Sequence, residues 1–233
     1  MDPRHLFIDQ RLVGMCVHCG ADPSTRDHIP AKVLLDEPYP NDLPVMGSCE
    51  RCNGGGSLDE QYAACFIEAV ISGSAEPEQV KRSKIRRILG EQQELRHRIA
   101  SSMTIAPDGT KMWQLERERI RSVVLKLARG HAAYELYPKF EEPNHLQFLP
   151  LQSLTPAQRD LFEGAPPGIL EPLPEIGSRA FMRAYGDLPD DFGQEGDWIV
   201  VQPQRYRYAV CETGGIRVRI VLSEYLAGEV RWE

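Results

Sequence analysis

Between Glu116 and Leu136 the apolar residues Ile120, Val123, Val124, Leu127 and Ala128 recur three and four positions apart, interleaved with Arg117, Arg119, Arg121, Lys126 and Arg129. That period gathers one apolar stripe and one charged face on a cylinder, so the stretch predicts an amphipathic helix. Val80, Ile85, Ile88 and Leu89 predict another from Pro77 to Ile99, and Leu58 to Ile71, closed by Ser72 and Gly73, predicts a third. Met103–Ala106 and Lys111–Leu115 flank Pro107, Asp108 and Gly109, the chemistry of a short hairpin. Prolines crowd the chain from Pro138 to Pro174 and predict irregular structure, with one short helix from Pro156 to Phe162. Beyond it β-branched and aromatic residues dominate. They predict strands at Phe181–Tyr185, Trp198–Val201, Arg205–Val210, Ile216–Val221 and Glu229–Trp232, with a hairpin turn at Gly214-Gly215. The expected class is α+β: a small N-terminal unit (1–75), a helical middle (76–139) and a β-rich antiparallel C-terminal part (140–233).

Charge sharpens this division. The net charge of -7 opposes a partner as negative as nucleic acid, but the sign is segregated. Residues 1–75 carry 5 basic against 11 acidic side chains, 76–139 carry 14 against 8, and 140–233 carry 8 against 15. The basic excess is confined to the middle, where Lys81, Arg82, Lys84, Arg86 and Arg87, with Arg117, Arg121 and Arg129, are candidates for phosphate contact. A solvated helix face is the alternative meaning of such a run. The acidic C-terminal part is the candidate surface for a second copy or a protein partner. No stretch is apolar enough to span a membrane, and the opening MDPRHLFIDQRLVG lacks the apolar run of a secretory signal, so a cytoplasmic protein is expected.

Six cysteines in a reducing compartment are better metal ligands or buried thiols than disulfides. Cys16-x-x-Cys19 and Cys49-x-x-Cys52 form two knuckles able to give four thiolates to a tetrahedral, structural Zn²⁺. A redox role would need only one such pair. Gly20 after the first knuckle, and Asn53-Gly54-Gly55-Gly56 after the second, would supply tight turns around the sulfurs. Cys65 and Cys211 read as core residues, and His18, His97, His131 and His145 as solvated or locally bonded. Ser57-Leu58-Asp59-Glu60 reads as a capping box that starts the helix and accounts for both acids.

The series CVHCG, RDHIP and CERCN followed by a helix resembles the HNH, or ββα-metal, endonucleases with a four-cysteine zinc site. The resemblance covers residues 16 to about 72. Weaker echoes, Asp59-Glu60 and the Lys126-x-x-Arg129-Gly130 ending of a helix, extend it to about residue 137. It implies a zinc-stapled, treble-clef-like ββα module in which His28 is the general base. Asp27 and Asn53 would hold a catalytic Mg²⁺ or Mn²⁺. For the middle Asn of the motif the candidates are Asn41 and Asp42, with Asn41 preferred. The chemistry is consistent, because a hard divalent ion held by carboxylate and amide oxygens stabilises charge beside a departing oxygen, while a neutral imidazole accepts a proton from water. The function expected is metal-dependent hydrolysis of nucleic acid, DNA rather than RNA through the resemblance alone, of restriction, phage-borne or defence type. The alternatives are a non-catalytic zinc module that binds nucleic acid or protein, and a regulator whose C-terminal part senses a ligand or partner.

Overall fold

The computed structural model describes residues 12–41, 43–164, 178–185, 193–195, 197–212 and 214–233. The N-terminal unit is a two-stranded ribbon, β1 (Thr25–His28) and β2 (Val45–Ser48), running directly into the long helix α1 (Glu50–Ser72). Two short helices follow, α2 (Ser83–Glu91) and α3 (Gln93–Ser101), then the hairpin β3 (Met103–Ile105) and β4 (Lys111–Trp113) and a second long helix, α4 (Arg117–Glu135). The C-terminal part holds β5 (His145–Pro150), α5 (Pro156–Glu163), α6 (Arg179–Tyr185) and the strands β6 (Gly193–Glu195), β7 (Trp198–Gln202), β8 (Tyr206–Glu212), β9 (Ile216–Leu222) and β10 (Leu226–Trp232). All six C-terminal strands form one antiparallel sheet in the order β5-β10-β9-β8-β7-β6. No helix among the described residues is long and apolar enough to cross a membrane.

Strand alternation explains how the sheet is covered on both faces. Tyr206, Tyr208, Val218, Ile220, Leu222, Val230 and Trp232 belong to the main core, whereas Ala209, Val221 and Ala227 join Trp198, Leu151 and Phe162 in a smaller cluster beneath α5. On the inner face lies α4, whose buried positions Ile120, Val123, Val124, Leu127, Ala128, His131 and Ala132 keep the helical period. Gly228 makes room for it, because a Cβ there would sit 3.0 Å from a Val124 methyl. On its other side α4 packs against α1. The main core therefore runs from Ala31 to Trp232 and draws on all three sequence segments.

Four local expectations change. The helix expected from Leu58 begins at Glu50, with Cys49 as its N-cap, so Gly54, Gly55 and Gly56 are helical and not turns. The helix expected over 77–99 is a 3₁₀ turn at Pro77–Gln79 followed by α2 and α3, broken at Gln92 (φ -104°, ψ 78°). Within the proline-rich stretch His145–Pro150 is a strand. It sits at the sheet edge and reaches proline only at its last residue, where no ladder bond is lost. Phe181–Tyr185, expected as a strand, belongs to α6. The last part of that proline-rich stretch, 165–174, lies outside the described residues.

A buried polar chain joins α4 to the sheet. His131, fully buried, shares a 2.6 Å hydrogen bond between Nε2 and the Tyr206 hydroxyl and stacks on Tyr208 at 3.6 Å, while the Tyr208 hydroxyl donates to Glu135 at 2.6 Å. Burial pushes the His131 pKa down from 6.5 to about 3. The folded protein thus resists a proton that the unfolded chain accepts below pH 6.5, and stability is lost as pH falls from there towards 3, by up to about 1.4 kcal/mol per pH unit. Denaturant titrations at pH 6.5 and 5.5 are expected to show this loss in the wild type and a smaller one in His131→Gln, which retains a side chain able to bond Tyr206.

Candidate metal centre and the Asp27-His28 strand

The first knuckle is a turn in which Cys19 and Gly20 donate their amides to the Cys16 carbonyl at 3.3 and 2.8 Å, with Gly20 at φ 76°. Val17 N donates to Gly47 O at 3.1 Å, which pins the knuckle against β2. The second knuckle is the first turn of α1: Cys52 and Asn53 donate to the Cys49 carbonyl at 3.1 and 3.0 Å. Cys49 is thus the N-cap of α1, and Cys52 lies in its first turn.

The four sulfurs lie within 4.8 Å of one another, and Cys19 Sγ is 3.8 Å from Cys49 Sγ. A tetrahedral ion with Zn–S bonds of about 2.3 Å has S···S edges of about 3.8 Å, so donor chemistry and spacing both fit zinc. Charge points the same way. Burial opposes ionisation of Cys16, but hydrogen bonds from the backbone of Cys49 and His18 outweigh it and bring the thiol down to about 7. Burial and the sulfurs of Cys49 and Cys19 push Cys52 the other way, since a second anion has no counter-charge among thiols alone. A divalent cation removes that conflict.

β1 is held against the start of α1. Asn53 Nδ2 donates to Thr25 Oγ1 at 3.1 Å and to the Arg26 carbonyl at 3.0 Å, and Glu50 N donates to Ser24 Oγ at 3.2 Å. The structure therefore brings Asn53 to the strand that carries Asp27 and His28. Strand alternation places Asp27 with Thr25 on one face and half-buried His28 on the other. Asn41 is exposed in the loop before β2, and Asp42 lies outside the described residues.

Asp27 is only 4% exposed, and its surroundings contain partners not foreseen from the motif. Its Oδ2 lies 3.0 Å from His18 Nε2 and 2.9 Å from Lys126 Nζ, and the same ammonium lies 2.7 Å from Glu60 Oε1. Glu60 is therefore not half of a capping box. Ser57, one helical turn earlier, donates to the Gly54 carbonyl at 2.9 Å inside α1. The single ammonium is shared unequally. Burial works against the Asp27 charge, but the His18 hydrogen bond and Lys126 outweigh it and lower its pKa, whereas burial dominates at Glu60 and raises it to about 7. Burial also opposes the Lys126 charge, and the two carboxylates more than restore it.

Two glycines let this packing occur. A Cβ at Gly56 would come within 2.9 Å of Lys126 Cδ, and one at Gly130 would collide with the Ile29 side chain, two residues past Asp27. With Arg129 Nη2 donating to the Phe140 and Glu141 carbonyls at 3.0 Å, each residue of the Lys126-x-x-Arg129-Gly130 echo has a distinct mechanical task. In this structure the counter-charge beside Asp27 is the Lys126 ammonium.

Most of the candidate phosphate contacts are engaged within the protein. Arg82 is 8% exposed and binds the Asp36 carboxylate and the Val33 and Leu35 carbonyls. Lys84 binds the Lys32 carbonyl and the Tyr39 hydroxyl, Arg86 the Val80 carbonyl, Arg121 the Glu142 carboxylate, and Arg117 lies over the Phe148 ring. Lys81 and Arg87 are exposed. Of the histidines, His18 and His131 are buried and bonded, while His97 and His145 are exposed.

No protein-family model matches the chain, and comparison with curated proteins and with solved structures finds no match.

The packing yields a paired test. Gly130→Ala is expected to cost about 1–3 kcal/mol by overpacking Ile29. Gly54→Ala, at a helical site with open space around the added methyl, is expected to stabilise by up to about 1 kcal/mol. Thermal and denaturant unfolding of the two variants check opposite signs.

Proposed function

We propose that this chain is a metal-dependent nuclease of the ββα-metal kind, hydrolysing phosphodiester bonds of nucleic acid, with DNA as the expected substrate. The observation that supports this most is the bonding of Asn53, the residue after the last cysteine of the four-sulfur cluster, to the strand bearing Asp27 and His28. In this reading the zinc is structural. His28 accepts the proton of the attacking water as a neutral imidazole, and Asp27 and Asn53 hold Mg²⁺ or Mn²⁺. When bound, the ion stabilises negative charge developing on phosphate oxygens. His18 fixes the orientation of the Asp27 carboxylate, and Asn53 fixes the strand. Exposed Lys81 and Arg87 are the side chains best placed to meet a phosphate backbone, since the other basic residues of the middle segment are tied down internally.

A second reading, a non-catalytic zinc module that binds nucleic acid or a protein partner, has one observation in its favour. Lys126 already neutralises Asp27 and leaves that carboxylate enclosed. Incubation with supercoiled plasmid and Mg²⁺ or Mn²⁺ separates the two. The nuclease reading predicts nicked product in the wild type and, for His28→Ala, a rate lower by roughly a hundredfold or more at unchanged zinc content. Absence of cleavage by the wild type in either metal contradicts it, and equal cleavage by His28→Ala removes that residue from the chemistry.

A further inference from the structure

On the outer face of the C-terminal sheet, between α5 and strands β5, β9 and β10, lies a cleft of about 220 Å³, none of whose lining residues belongs to the sulfur cluster or to the Asp27-His28 strand. Its walls are apolar: Leu149 of β5, Leu154, and Phe162 with exposed Leu161 on α5. Its charged lining is Arg217 of β9 with Glu229 and Arg231 of β10, which strand alternation sets on the same face as Leu149. Buried Glu229 takes both guanidiniums. Its Oε2 accepts from Arg217 Nε at 3.0 Å and from Nη2, and its Oε1 accepts from Arg231 Nε at 2.6 Å. The Leu161 carbonyl holds Arg217 Nη2 from the helix side, at 3.1 Å.

Two guanidiniums on one carboxylate leave the cleft with one positive charge in excess. Protonation cannot remove it, since arginine has no neutral form in proteins and a proton on Glu229 would only enlarge the excess. Nη1 of Arg217 and Nη1 of Arg231 find no hydrogen-bond partner among the described residues, so each guanidinium keeps a donor for an anion. Volume limits what can enter. An apolar cavity of about 150 Å³ holds a benzene molecule, so this cleft admits a single ring or a short branched chain bearing one carboxylate. We propose that the cleft binds a small free monocarboxylate, its carboxylate at Arg217 and Arg231 and its compact apolar body against Leu154, Leu161 and Phe162. The C-terminal carboxylate of a peptide ending in an apolar residue offers the same chemistry, and the size of the cleft favours the free acid. The site is separate from the nuclease reading and stands without it.

Benzoate and its neutral isostere benzamide are the probes, titrated into the full chain at low salt while the side-chain amide signals of Gln147 and Gln158, which line the cleft, are followed by nuclear magnetic resonance. Benzoate is expected to shift both signals and to bind at least roughly tenfold more tightly than benzamide, because hydrogen bonds between a guanidinium and a carboxylate are about twice as strong as neutral ones. Arg231→Gln, at a half-exposed side chain, removes the excess charge and is expected to bring benzoate down to the level of benzamide.

Gln158→Glu gives an independent route should Arg231→Gln disturb β10. It keeps the side-chain oxygen that accepts from Thr155 N in the capping box of α5, and it brings a second carboxylate to the cleft. Followed at Gln147, benzoate binding is expected to weaken at least roughly tenfold, with benzamide unaffected. Equal binding of benzoate and benzamide by the wild type, or benzoate binding that survives either substitution in the folded protein, overturns the proposal. Tighter binding of acetyl-alanyl-phenylalanine than of benzoate overturns it as well, by giving the cleft to a chain terminus in place of a free acid.

Discussion

Four thiol sulfurs gathered within 4.8 Å set the terms for the N-terminal half. Two come from a turn that precedes β1, and two come from the first turn of α1, so whatever neutralises them also fixes the ribbon on the helix. A closed thiolate site of this kind contributes about 10 kcal/mol or more to the fold of a small module. Among the described residues the apolar cluster beside the knuckle is small, made of Val17, Ile29, Met46 and Ala133 with Leu12 and Tyr134 packed against it. The Asn53 and Ser24 hydrogen bonds then set the strand's position against the helix start.

The second organising element is α4, which faces the sheet on one side and α1 on the other. It reaches the motif strand at two points, through Lys126 at Asp27 and through the absence of a side chain at Gly130, into which Ile29 packs. The Asp-His strand is thereby buttressed by a helix about a hundred residues away in sequence, and through that helix by the C-terminal sheet. A further tie lies in the loop after β1, where Asp36 receives both Arg82 and Arg205. Two of the three segments that charge and composition separate thus converge on the first. This convergence explains why so much of the basic middle is used internally.

Where sequence and structure agree, a local rule was strong enough to survive packing. The apolar period of α4, the Asp108-Gly109 turn of the β3–β4 hairpin and the Gly214-Gly215 turn before β9 all persist, and the knuckle spacing brings the four sulfurs together. Disagreements arise where tertiary contact outweighs a local preference. Gly54–Gly56 favour turns on propensity, yet a helix starting at the second knuckle needs thin residues where Lys126 crosses Gly56. Glu60 satisfies a capping pattern, but its actual partner lies 66 positions further along the chain, beyond the reach of any spacing rule. His18 carried one usable signal, its place inside the knuckle between Cys16 and Cys19. The aromatic residues of α6 suggested a strand, and nothing in their spacing marked the helix.

One zinc ion is expected to hold the two knuckles and, through them, the Asp27-His28 strand on α1. Zinc K-edge X-ray absorption on the freshly purified protein, combined with elemental analysis, measures this directly. The expected result is one zinc per chain surrounded by four sulfur atoms at about 2.3 Å. Less than half a zinc per chain, or a shell in which oxygen or nitrogen replaces two or more of the sulfurs, would contradict it.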